Sequence, residues 1–128
     1  MTLEPGALPI SELQIWLTER GGLHDVCISS LKIDVGCRSV VLLSEDWNFA
    51  FEGIDGYVPM PGSLHFHDVS LITIGVDISD EIIVSNAAVS QISEKLHLLI
   101  SLRYGALSDE VPIRIQFESY TFCSSTSV

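Results

Sequence analysis

The chain has 128 residues, 47% hydrophobic and 18% charged, with 17 acidic against 6 basic side chains and a formal net charge of −11. That length and apolar content suit one domain, 1–128, that buries its own core, and they exclude a disordered chain. The charge opposes phosphate backbones and anionic lipid, and no run approaches the ~20 apolar residues of a spanning helix, so nucleic acid and membrane drop out as partners.

Residues 1–9 carry Pro5, Gly6 and Pro9 and read as an extended lead-in. They have neither a basic nor an apolar signal region, and the three cysteines, Cys27, Cys37 and Cys123, form no Cys-x-x-Cys pair; a cytoplasmic protein with reduced thiols is expected. Ser11 as N-cap, Gln14 three residues later, and an Ile10–Ile15 staple predict a helix over 12–20. Leu13, Trp16 and Leu17 form its apolar stripe, and Gly21-Gly22 stops it.

The stretch from Leu23 to Val35 recurs from Phe66 to Ile78 at a constant offset of 43 residues. His24-Asp25-Val26 matches His67-Asp68-Val69, and Asp34 matches Asp77. Both copies change the phase of their alternation. Val26 and Ile28 give way to Leu31, Ile33 and Val35, and Val69 and Leu71 give way to Ile74, Val76 and Ile78. An inserted residue would keep both halves facing the core, so each copy is expected to be a bulged β-hairpin, returning through Val40–Leu43 or Ile82–Val84. Asp25 and Asp68 are expected to turn the chain ahead of each strand.

Between the copies, Trp47, Phe49 and Phe51 alternate on one face, as a core strand or as a stacking surface for a sugar or flat ligand. A Gly- and Pro-containing loop over 53–62 leads to Leu64 and Phe66 on one strand face with His65 and His67 on the other. Residues 86–94 are polar, a loop or a short helix. Leu96, Leu98, Ile100, Leu102 and Tyr104 alternate as a strand, and so do Val111, Ile113, Ile115 and Phe117, before a third phase change ahead of Tyr120 and Phe122. Residues 123–128 are a fraying polar tail. The count of about eight strands predicts an all-β fold, an antiparallel β-sandwich or flattened barrel with one short N-terminal helix. Trp16, Ile33, Val41, Phe49, Phe66, Val76, Leu98, Ile100, Ile115 and Phe117 are its expected core.

Acidic residues gather at the turns. Glu45, Asp46, Asp80, Glu81, Asp109 and Glu110 make the candidate binding surface, solvated for plain solubility or attracting a basic protein partner. The competing constellation is His65, His67 and Asp68 with His24, which could share a divalent ion in a cupin-like, ligand-binding sandwich. Against it, His-Asp occurs twice at equivalent positions whereas a site is needed once, and no carboxylate follows the His pair over 69–76. No nucleotide, hydrolase or metalloprotease motif is present, so no catalytic residue or cofactor is assigned. An exposed strand edge would make a homodimer.

Over Leu23 to Val84 the pattern Leu-His-Asp-Val-x-Ile-x-x-Leu-x-Ile-Asp, with its polar turn and second β run, resembles small acidic bacterial β-proteins. Several of these are classed as immunity proteins of polymorphic toxin systems. The resemblance implies a non-catalytic protein that inhibits a toxin by binding it, and it carries over no functional residues.

Overall fold

In the computed structural model, which describes residues 9–79, 81–104, 106 and 112–124, the chain opens with helix α1, Pro9–Glu19. The helix starts three residues before the expected boundary, so Ser11 lies inside it and is not its N-cap. Gln14 ties the helix to the sheet instead, accepting from the Val89 amide at 3.2 Å and donating to Thr18 Oγ1. Leu13 and Leu17 are fully buried, and Trp16 packs in tilted and edge contacts on Phe122 and Trp47 at 5.2 and 5.9 Å. Gly21, Gly22 and Leu23 all take positive φ near 60–66° and end the helix where the Gly pair allows it.

Eight strands follow: β1 (Ser30–Asp34), β2 (Ser39–Ser44), β3 (Gly62–His67), β4 (Leu71–Ile74), β5 (Ile83–Ile92), β6 (Lys95–Tyr104), β7 (Ile113–Phe117) and β8 (Ser119–Ser124). They form two antiparallel four-stranded sheets, ordered β1-β2-β3-β8 and β4-β7-β6-β5. The fold is an all-β sandwich, and the sheets do not close into a barrel. Its core joins Val40, Leu42, Leu64 and Phe66 of one sheet to Leu98, Ile100, Ile113, Ile115 and Phe117 of the other, with the Phe66 and Phe117 rings 4.7 Å apart.

Each phase change in the sequence reflects the chain crossing from one sheet to the other, the second of them at Val69–Ser70 rather than after Leu71, which is 48% exposed. The Ile28 amide donates to Ile82 beside β5, and the next amide, Ser29, donates to Leu43 of β2. The Val69 amide donates to Arg38 in the β1–β2 turn, and Ser70 donates to Gln116 of β7. Phe117 pairs with Leu96 of β6, and the Glu118 amide donates to His67 of β3. The core lies on opposite sides of the chain before and after a crossing, so inward parity resets without an inserted residue.

The expected pair of bulged hairpins is therefore half correct. β1 and β2 do form a hairpin, but β4 pairs with β7 while the return run becomes part of β5 on the opposite edge. The irregular register that breaks alternation is in β5, around Val84 to Asn86. Residues 86–94, expected as loop or helix, complete β5 and the two-residue turn Ser93-Glu94, both at positive φ, into β6. Trp47–Glu52 is a turn and a 3₁₀ segment rather than a strand, with Trp47 buried and Phe49 40% exposed. Val41 faces outward between buried Val40 and Leu42, and Ile33 is 46% exposed at the sheet edge, so these two and Phe49 leave the expected core.

Candidate functional site

The 45–61 connection is built by one carboxylate. Asp46 Oδ1 accepts from the amides of Asn48 at 2.9 Å and Met60 at 3.0 Å, and Asp46 Oδ2 accepts from the Tyr57 hydroxyl. Trp47 pins the same loop to the core, donating from its amide to Met60 O and from Nε1 to Gly62 O, each at 2.8 Å. Ser44 Oγ donates to Cys27 O at 2.7 Å, joining the loop base to the segment that carries Asp25, Cys27 and Ser29.

Between this loop and that segment lies a cleft of about 410 Å³ lined by the carboxylates Asp25, Glu45, Asp46 and Glu52, by Phe49 and Tyr57, and by Cys27. Asp25, at φ +64°, is bound by Arg103 Nη1 at 2.5 Å, with His24 Nε2 at 3.5 Å. Arg103 is held above its ordinary pKa by that carboxylate. Glu45 is exposed and has no hydrogen-bond or ion-pair partner among the described residues. The field is felt at Cys27, whose thiol is pushed up first by burial and then by Glu81 and Glu45. Cys27 is thus held as a thiol and is a weak nucleophile at neutral pH. The cleft can accept hydrogen bonds and a cation, and Phe49, 40% exposed, lines it together with the carboxylates.

Of the acidic turn residues, the structure brings Glu45 and Asp46 together here. Glu81 lines a neighbouring apolar hollow and acts on Cys27 through its charge, while Asp80, Asp109 and Glu110 lie outside the described residues. Phe49, expected in a core strand or a stacking surface, lines the cleft, and Asp25, Glu52 and Tyr57 complete it without a signal in the sequence for that role. Their convergence is set by the loop's bonds to Asp46, and only the aromatic content of 47–57 pointed towards it.

The histidines are distributed. His65 and His67 share the outward face of β3, bonded to Ser63 Oγ at 2.8 Å and Thr121 Oγ1 at 2.9 Å. Asp68 turns away at φ +51° towards Arg38, 3.7 Å off, and His24 bonds to Ser85 of β5 in the other sheet. Among the described residues, no three of His, Cys, Asp and Glu gather in an arrangement that could hold a metal ion. Asp25 and Asp68 do turn the chain at matched places, by left-handed backbone rather than by a side-chain turn.

Among the described residues, no helix is long and apolar enough to cross a membrane. Comparison with protein-family models, curated proteins and solved structures finds no match.

Proposed function

We propose that the protein is a non-catalytic binding module of the bacterial cytoplasm whose acidic cleft receives a basic segment of a protein partner, as an immunity-type inhibitor would cover a basic toxin. The observation that carries this reading is a single cleft lined by Glu45 and Glu52, by Asp46 and the Arg103-bound Asp25, and by Phe49, which is 40% exposed. An arginine entering the cleft would meet carboxylate acceptors and an aromatic face together, and the surplus of 17 acidic over 6 basic residues would steer it in.

The test uses an arginine-rich peptide in calorimetric titration, with pull-down from native cytosol at low and high salt. Wild-type protein binds, binding weakens as salt rises, and Glu45→Gln with Glu52→Gln weakens it further without loss of fold. Binding indifferent to both salt and the amide pair, or no binding, removes the reading. The cleft's volume and its Phe49–Tyr57 lining also suit a sugar or small ligand. Salt-insensitive titration by a neutral saccharide, lost in Phe49→Ala, would favour that second function.

A further inference from the structure

The inward face of the first sheet runs past the edge of the second. Ile33 stands opposite Val40, and Leu31 opposite Leu42. Val40 and Leu42 are buried, so alternation places Leu31 and Ile33 on that inward face, and Val35 follows in the turn to β2. Yet Ile33 is 46% exposed and Val35 83%. β1 is the last strand of its sheet, β4 is an end strand of the other, and two hollows of about 150 and 400 Å³ open beside β1. The first touches Ile33, Val35 and Leu71, and the second touches Leu31, Ile74 and Val76.

We propose that the free edge of β1 is a self-association surface, at which two copies of this chain pair antiparallel about a two-fold axis passing by Ile33. An axis normal to the sheet keeps both inward faces on one side. It sets Ile33 opposite Ile33 of the second copy, and brings Leu31 towards the turn residue Val35 of the second copy. On the outward face the same register sets Lys32 opposite Asp34 of the second copy, and Asp34 opposite its Lys32. The neighbouring symmetric registers lose this match, because an axis by Lys32 or by Asp34 puts each of those charges against itself. Lys32 is the kind of edge charge that ordinarily discourages strand pairing, and here its complement sits two residues away on the same strand. β4, Leu71–Ile74, carries no charge and selects no register.

The test is sedimentation of the full chain over a concentration series, with far-ultraviolet circular dichroism to confirm each variant's fold. Wild-type protein forms a dimer of twice the 14.0 kDa chain mass. Lys32→Glu sets like charges opposite each other twice and weakens the dimer about tenfold. Ile33→Cys, in a chain whose three native cysteines are replaced by serine, oxidises to a covalent dimer, since directly opposed Cα atoms of an antiparallel pair lie about 4.5–5.5 Å apart, within the span of a disulfide. The control Thr73→Cys on β4, also exposed, forms the same dimer without a covalent link. A monomer at every concentration, a dimer indifferent to Lys32→Glu, or crosslinking at the Thr73 control as fast as at Ile33 overturns the proposal.

Discussion

Glu45 and Asp46 are adjacent acids that the structure gives different work, and substituting each separates them. Asp46→Ala removes the acceptor for the amides of Asn48 and Met60 and for the Tyr57 hydroxyl. A hydrogen bond to a charged group contributes about 1.5–3 kcal/mol, and one in a half-exposed loop gives less because water replaces the lost partner. The three together should cost about 3 kcal/mol, a fall in Tm of roughly 12 °C for a chain of this length. Glu45→Gln should stay within about 0.5 kcal/mol, as an exposed surface change does, while weakening capture of a basic peptide. Urea unfolding followed by tryptophan fluorescence reads this directly, because Trp47 adjoins Asp46 and its amide bonds to Met60 O. A cost below about 1 kcal/mol for Asp46→Ala, or equal costs for both substitutions, would refute the assignment of Asp46 as the loop's organiser.

Cys27 should alkylate more slowly than Cys37 and Cys123 at mildly alkaline pH, and Glu45→Gln or Glu81→Gln should speed it, because those carboxylates raise its thiol pKa; mass spectrometry of labelled peptides measures the rates. Gly62→Ala should lower Tm by roughly 4–12 °C, the equivalent of about 1–3 kcal/mol of overpacking, because its Cβ would lie 2.6 Å from Cys123 O and from Phe122 Cζ. Burial first, and then Glu12, push the Tyr120 hydroxyl up to about 12. Its folded-state pKa therefore stands above the unfolded value, so its contribution is whole below about pH 10 and is lost as pH rises towards 12. Tyr120→Phe should flatten the decline in stability across that window, and an unchanged slope in alkaline urea titrations counts against it.

Much of the sandwich was legible locally. Leu64 and Phe66 against His65 and His67, and Leu98 and Ile100 against the less buried Leu99 and Ser101, alternate as half-buried strands must, and all four apolar residues are buried, whereas His97 of β6 is buried between Leu96 and Leu98. The glycine pair after α1 stops the helix because two successive left-handed residues are accessible there. The strand β5 was not legible, since its register shift breaks the alternation and Ser93-Glu94 lacks the Asn-Gly or Asp-Gly signature of a two-residue turn. Nor was the cleft, because Phe49 and Tyr57 reach it through a loop shaped by bonds to one aspartate.

The sequence by itself determined where the chain reverses the side it presents to the core. The three phase changes, after Ile28, after Leu71 and after Phe117, are properties of consecutive residues and needed no partner to be seen, although the second crossing falls earlier, at Val69–Ser70, and leaves Leu71 48% exposed. Only the tertiary structure decided that they are crossings between two sheets. A bulge and a crossing leave the same mark in the order of apolar residues, and they differ only in which strand receives the next amide. That choice set β4 beside β7 rather than the run that became β5, and left Ile33 at an open edge instead of in the core. Strand partners are chosen by burial summed over the whole sandwich, which no local pattern contains.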